Sequence, residues 1–537
     1  MTVVLPFHLP DFSADDIVIA QAELASCMPA KQANDQRHLK NEARNALIRL
    51  FATISLINAA APVNSLPFEL LLEIFSYCAN GSTPEWFYLT HVCRRWRRIA
   101  LQSQSLWSAI YPYPSNFIAA CLRRSESSPI SIIWRDPTRI TVTEFLQLVR
   151  PYAFLAEHII LESPKGTLES LLPLLAIIPR NNLVSLQLSQ RNLSPETLHV
   201  GHSLLKLHQN DLKVLKLQRV TVRWEICRFP DLHTLHLQNL INEDAPLLKD
   251  FLEFLANCIS LKNLHLVNAN LALGDGKGLQ KVKPPLRLLV IRQSSWNLVD
   301  SDSTAKFLSQ ITFSKTARID IGHVVSHSPK TLSLYQLLPR CNGRLESLES
   351  LERFDFTTHD DGRVVLRGHT KKAFNCHPPA FQLKITVPPS QADDLIVDLF
   401  TEKELGKLLS CNQVLTLSLS LDWSLMSLFN WRTLSCMSRL KKLHLTHLSI
   451  NDRPRKAARC SDAKRIFQAL HSSQYVLRIV PYLADLRLEN VCDPDDALLA
   501  SSRECMKARR SRCMATPSVW LNGALWEELE SGGVDQN

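Results

Sequence analysis

From about residue 128 onward the chain repeats one short apolar signature, L-x-x-L-x-L, and this repetition limits the fold more than any other feature. Clear copies are Leu183/Leu186/Leu188, Leu212/Leu215/Leu217, Leu232/Leu235/Leu237, Leu261/Leu264/Leu266, Leu286/Leu289/Ile291, Leu440/Leu443/Leu445 and Leu483/Leu486/Leu488. Their first residues step by 29, 20, 29 and 25 from 183 to 286. Thr316/Ile319/Ile321, Leu351/Phe354/Phe356, Ala380/Leu383/Ile385 and Val414/Leu417/Leu419 are weaker copies in the same phase, and Pro129/Ile132/Trp134 and Leu155/His158/Ile160 are candidates for the first two. A strand that points such leucines inward cannot bury them alone, so each unit needs a neighbour on both sides. Residues 168–178 and 247–256 have helical periodicity and are expected to form an outer layer.

Repeats of about 20–29 residues on this signature resemble leucine-rich repeats. Such repeats usually carry Asn or Cys three residues after the last strand leucine, where the side chain bonds the turning backbone. Here those positions hold Arg191, Val220, Leu240, Ala269, Leu448 and Val491, so the asparagine ladder is missing there. An irregular solenoid over residues 111–495 is expected, interrupted by insertions around 357–379 and 451–475.

Residues 65–107 pose a different constraint: three short helical signals carry more apolar surface than about 45 residues bury alone. Pro67 suits the first turn of a helix running to about Cys78, with Ser65 as its cap. Glu69, Glu73, Ser76 and Asn80 make one narrow polar stripe, while Leu70, Leu71, Leu72, Ile74, Phe75 and Tyr77 cover the rest. A second run places Leu89, Cys93, Trp96 and Ala100 on one face, and Trp107 closes the unit. The surplus apolar face reads as a docking surface.

The string Leu66-Pro67-Phe68-Glu69-Leu70-Leu71-Leu72-Glu73-Ile74-Phe75, then Val92-Cys93-Arg94-Arg95-Trp96, then Leu106-Trp107, resembles an F-box, most closely that of fungal F-box-like proteins. The resemblance implies binding to the Skp-type linker subunit of a cullin ubiquitin ligase through Leu66, Pro67, Leu70, Ile74, Phe75, Val92, Cys93 and Trp96. The arginines 94, 95, 97 and 98 around Trp96 are expected on a solvated helix face, favouring its C-terminal dipole. Ahead of this module, residues 14–28 and 31–60 look helical, the second run aligning Ala43, Leu47, Leu50, Ile54 and Ile57. The expected division is a helical segment 1–60, the F-box 61–110, the solenoid 111–495 and a partly disordered tail 496–537. In that tail, Lys507, Arg509, Arg510 and Arg512 read as a solvated helix face, and Trp520 and Trp526 as a cap on the last repeat.

Composition narrows the setting. Of 537 residues, 45% are hydrophobic and 21% charged, and no apolar run reaches membrane-spanning length. Met1–Pro10 lacks the basic start of a signal peptide. The 14 cysteines show no paired spacing and read as reduced thiols of the cytoplasm or nucleus, where the sequon at Asn80 is chance. A net charge of +10 spread over the whole length favours acidic partners without the concentrated stripe of a nucleic-acid binder.

No catalytic, metal or cofactor constellation stands out. Gly274-x-Gly276-x-Gly278 lacks the spacing of a nucleotide loop. His233 with His236, and His444 with His447, are three apart, which on a strand puts them on opposite sides. His236, His265 and His444 share one repeat position with Gln187, Lys216, Lys384 and Arg487, on the expected concave side, and Gln187, Lys216, His236, His265, His444 and Arg487 are the substrate-contact candidates. The combined expectation is an α/β protein, a non-enzymatic adaptor joining an unidentified protein substrate to a linker and cullin; the alternative is a non-degradative scaffold.

Overall fold

In the computed structural model the leucines of neighbouring copies stand opposite one another in a single sheet. The structure describes residues 33–79, 84–135, 140–179, 182–191, 196–240, 245–269, 271–273, 279–293, 298–314, 316–324, 351–359, 361–370, 378–387, 413–421, 434, 437–448, 460–471, 480–492 and 495–525. The sequon and glycine motif, the expected helix 14–28 and Trp526 lie outside them. The chain divides into two compact units, Met1–Trp107 and Ser108–Asn537.

In the first unit, a helix α1 (Ala33–Ala60) leads through a 3-10 turn (Pro62–Ser65) to α2 (Phe68–Ala79). A 3-10 segment (Pro84–His91), α3 (Arg94–Gln102) and a closing 3-10 turn (Gln104–Trp107) follow. Leu39, Leu47, Ile48, Leu50, Phe51, Leu56 and Ile57 of α1 are exposed.

The second unit contains β1 (Ala109–Ile110), β2 (Ile130–Arg135), β3 (Ala156–Ser163), β4 (Ser185–Gln190), β5 (Leu198–His199), β6 (Val214–Gln218), β7 (Val220–Thr221), β8 (Thr234–Leu240), β9 (Asn263–Ala269) and β10 (Leu288–Gln293). It continues with β11 (Arg318–Val324), β12 (Leu351–Thr358), β13 (Arg363–Thr370), β14 (Phe381–Thr386), β15 (Thr416–Leu421), β16 (Lys442–His447), β17 (Asp485–Glu489), β18 (Ser518–Leu521) and β19 (Ala524–Leu525). β5 and β7 pair with each other. The remaining strands form one open sheet in the order β1-β2-β3-β4-β6-β8-β9-β10-β11-β14-β13-β12-β15-β16-β17-β18-β19.

Register explains the periodicity. Leu186, Leu215, Leu235, Leu264, Leu289 and Ile319 stand in one row, Leu188, Leu217, Leu237, Leu266, Ile291 and Ile321 in the next, and all are buried. Period-two alternation sends the intervening residues to the other face. Helices cover the buried side. Lys165–Leu171 and Leu174–Ile177 are separated at Pro173, which has no N–H to continue a helix, and Leu248–Asn257 buries Phe251, Leu252, Phe254 and Leu255.

The structure departs from the sequence expectation at several places. In β3 the buried residues are Ile159 and Leu161, opposite Leu186 and Leu188, so His158 and Ile160 face outward. A one-residue slip exchanges every side chain between faces. Residues 357–379 are not a simple insertion: β12, β13 and β14 form an antiparallel meander turning at Gly362 (φ 78°). β14 then meets β11 two residues out of the expected phase, with Phe381 opposite Ile319, and Lys384 faces Gly322. The second expected interruption includes the helix Cys460–His471, which buries Ile466, Phe467 and Leu470.

The sheet also continues past residue 495. The helix Asp496–Ser511, capped by Asp495, leads into β18, which pairs with β17, and an Asn522–Gly523 turn leads on to β19. Arg509 is no part of a solvated face: it is fully buried, donating from Nε to Ala515 O (2.9 Å) and from Nη2 to Val480 O (2.8 Å).

Asparagines do shape the turns, one residue earlier than the leucine-rich pattern places them. Asn239, Asn268 and Asn490 adopt positive φ, a conformation Asn tolerates better than most residues. Asn268 Nδ2 donates to Asn239 Oδ1 (3.1 Å), and Asn490 Nδ2 to His447 O (3.0 Å). The next residues, Leu240, Ala269 and Val491, are buried.

His323 of β11 is buried in the core row beyond Ile321, and burial, then the nearby Arg292, push its imidazole down to about 4. The unfolded chain takes up this proton near the ordinary value of 6.5. Between those two values the unfolded state binds more protons, so stability is held above 6.5 and lost as pH falls toward 4. Urea midpoints between neutral pH and pH 4 should show an acid-side loss of up to about 3 kcal/mol that His323→Asn removes. An unchanged pH slope in that variant would contradict the assignment.

Candidate functional site

α2 divides its apolar residues between two destinations. Leu71 and Phe75 are fully buried, whereas Leu70, Ile74 and Tyr77, at i, i+4 and i+7, are 46%, 41% and 73% exposed. Phe75 packs on Trp96 at 5.0 Å between ring centroids, and Trp86 meets Trp107 edge-on at 4.9 Å. The indole nitrogens are satisfied: Trp107 donates to Ala100 O (2.7 Å) and Trp96 to Asn64 Oδ1 (2.6 Å). Asn64, itself buried, donates back to Asn58 O at the end of α1 (2.5 Å). With this core closed, Leu70, Ile74 and Tyr77 are left outside, alongside exposed Val63, Phe68, Tyr88 and Val92.

Helix starts differ from the sequence reading. Ser65 does not cap α2; its hydroxyl donates to Pro62 O (2.6 Å). The second expected run breaks at Cys93, whose sulfur accepts from Trp96 N (3.5 Å) and caps α3. Arg94, Arg95, Arg97 and Arg98 therefore sit at the N-terminal end of α3, where the dipole disfavours cations, rather than at its C-terminus. Arg95 compensates by donating from Nη2 to Leu66 O (2.6 Å), tying α3 to the entry of α2.

On the sheet's outer face, Gln187, Lys216, His236 and His265 stand side by side on β4, β6, β8 and β9. The imidazoles of His236 and His265 stack with centroids 5.4 Å apart. Burial, then His265 and Lys216, lower the His236 pKa; burial, then Lys216 and Arg292, lower that of His265. His444 and Arg487 form a separate pair on β16 and β17. Burial and then Arg487 lower the His444 pKa, against a smaller opposing pull from Asp485. Two candidates are already engaged: Gln187 donates to Glu162 Oε1 (3.2 Å), and Arg487 pairs with Asp485 (3.2 Å) and lies over Trp520 at 5.3 Å. His447 is buried while its neighbour His444 faces out, and among the described residues no three His, Cys, Asp or Glu side chains gather as metal ligands.

The F-box-like family model matches residues 63–112, from the 3-10 turn before α2 to just past Trp107. This chain carries an F-box-like domain. No curated protein matches the chain. Within the F-box-like domain, the residues that the resemblance assigns to linker binding fall into three groups. Pro67, Leu70, Ile74 and Val92 are exposed, and Leu66, Cys93 and Trp96 are half-buried. Phe75 is a correction: fully buried against Trp96, it belongs to the domain's own core and presents no surface to a partner. Tyr77 and Tyr88 are surface residues the motif did not indicate, although Tyr77 lies on the same stripe as Leu70 and Ile74.

Asn64 joins the end of α1 to Trp96 in the F-box-like core, so Asn64→Leu should strand the Trp96 indole N–H and cost about 1–3 kcal/mol. Thermal melting of the chain against this variant checks it; an unchanged midpoint of the first unit would show that the bridge contributes nothing.

Proposed function

We propose that this chain is a substrate-recognition adaptor of an SCF-type cullin ubiquitin ligase. The observation that carries the reading is the exposed apolar stripe of Leu70, Ile74 and Tyr77 on a unit whose own core is already filled. F-box domains in general bind Skp-type linkers, and F-box proteins are in general adaptors rather than enzymes. Pro67, Leu70, Ile74 and Val92 would form the centre of linker contact, with Leu66, Cys93 and Trp96 at its margin.

The Ser108–Asn537 unit would hold the substrate. Its parallel strands, shared leucine rows and covering helices support an irregular leucine-rich-repeat solenoid, interrupted by the antiparallel meander, and the sequence likeness to fungal F-box-like proteins fits that pairing of parts. Gln187, Lys216, His236, His265, His444 and Arg487 are its proposed contact positions. The contribution to catalysis is proximity: holding a substrate lysine beside a charged ubiquitin carrier turns a bimolecular encounter into a local one. Buried free thiols at Cys121, Cys227 and Cys258, each pushed up to about 12 by burial, fit a reducing cytoplasmic or nuclear setting. Among the described residues no helix is long and apolar enough to cross a membrane.

Co-expression with a Skp-type linker tests the docking half. Wild type should co-elute stoichiometrically, and Leu70→Asp/Ile74→Asp should weaken capture by about a hundredfold or more, because two carboxylates would be desolvated without partners. Melting of the larger unit should not change. Retained linker capture in the double variant would overturn the docking assignment, and a linker complex that recruits no cullin would leave a non-degradative scaffold.

A further inference from the structure

Cations on the sheet's outer face are matched with carboxylates along most of its width. Arg135 and Arg191 share Glu162, Arg292 grips Asp320 through both oxygens, Arg353 pairs with Asp355 (2.7 Å) and Arg487 with Asp485. The stretch between Glu162 and Asp320 differs. β4, β6, β8, β9 and β10 contain no Asp or Glu at all.

Basic residues nonetheless gather where these strands begin. Lys213, His233, Lys262 and Arg287 immediately precede β6, β8, β9 and β10, ahead of the strands' own alternation: each shares with the following residue the gap between two buried leucines, and neither residue of that gap is buried. Backbone bonds from His233 N to Lys213 O, Lys262 N to His233 O and Arg287 N to Lys262 O hold the four in one column. Lys216 is exposed on β6, beside His236. Among the described residues, Lys213, Lys216, Lys262 and Arg287 form no ion pair, and Asp211 and Asp231 in the preceding turns reach none of them. A depression of about 140 Å³ on the outer face includes Lys216 and His236 and is otherwise lined by the neutral polar side chains of Gln187, Ser189, Gln218 and Gln238. The two histidines agree: no carboxylate acts on His236 or His265, whose pKa values are lowered by burial and then by neighbouring basic groups, so they serve the patch as neutral hydrogen-bonding imidazoles beside Lys216.

We propose that this patch, Lys213, Lys216, Lys262 and Arg287 with His236 and His265, binds an extended, carboxylate-rich peptide segment. The geometry favours a peptide. Strands lie about 4.8 Å apart, so the column spans about 14 Å, the distance covered by acidic residues at i, i+2 and i+4 of an extended chain. Single-stranded nucleic acid binds on aromatic stacking platforms, and these strands present no Phe, Tyr or Trp. The inference rests on the adaptor reading only in taking the peptide to belong to the captured substrate.

The test uses the full chain and fluorescein-labelled (Glu-Thr)5, followed by anisotropy at low and physiological ionic strength, with (Gln-Thr)5 and the oligonucleotide dT10 as comparison probes. The acidic peptide should bind and the neutral one should not. K216E/K262E/R287E should weaken binding at least about tenfold, K216Q/K262Q/R287Q less so, and K206E/K249E/K507E, an equal charge change on exposed helix positions, should have little effect. Absence of peptide binding, or equal losses in the two charge-reversed variants, would overturn the proposal; tighter binding of dT10, lost in the patch variant, would replace it with a nucleic-acid site. Linker capture measured on the same samples should stay intact throughout. Its failure with peptide binding retained would count against the adaptor reading alone.

Discussion

The burial of leucine rows shared between adjacent strands is the interaction on which the larger unit depends. Leu215 and Leu217 of β6 are hidden between Leu186 and Leu188 of β4 and Leu235 and Leu237 of β8, under the layer that covers this side of the sheet. Each fully buried leucine is worth about 1.5–3 kcal/mol, but that gain exists only while both neighbours are in place. The same dependence leaves the opposite face free to vary. Its residues are constrained by solvation and charge, which is why ion pairs, stacked histidines and unpaired lysines can all be mounted on one repeated scaffold.

The first unit is governed by a different balance. A domain of this size can fill one small core, and Leu71, Phe75, Trp86, Ile99, Ala100, Leu106 and Trp107 fill it. Hydrogen bonds from Trp96 to Asn64 and from Arg95 to the Leu66 carbonyl fix α3 against the start of α2. Among the described residues, Leu70, Ile74 and Tyr77 lie outside that closed core. The exposed stripe on α2 is thus a consequence of how the core is completed, and a partner surface is the state in which such a stripe is stable in water.

The leucine rows were legible because a period of two marks both the strand and its buried face. Legibility failed where that signal is ambiguous or absent. Ile159, Ile160 and Leu161 run together, so either phase of β3 satisfies the pattern and only the pairing with Leu186 and Leu188 decides. β13 reads Arg-Val-Val-Leu-Arg-Gly-His-Thr, without the signature, and its antiparallel course follows from the turn at Gly362. The asparagines carry no signal in the leucine-rich pattern because Asn239, Asn268 and Asn490 precede its asparagine position by one residue. On α2, Leu70 and Phe75 are equally apolar; that Phe75 faces Trp96 while Leu70 faces water depends on tertiary packing that composition does not encode. The end of α3 on which Arg94, Arg95, Arg97 and Arg98 sit is hard to read from sequence because the cap at Cys93 is a weak sulfur acceptor rather than a Ser or Asp.

Amide hydrogen exchange on the full chain, with and without a Skp-type linker, tests most directly whether the surplus apolar face of α2 is the docking surface. Slowed exchange confined to residues 66–79 and 84–98, with the leucine strands unaffected, is the expected result. Unchanged exchange across those segments while a complex forms, or protection concentrated on the sheet instead, would contradict it.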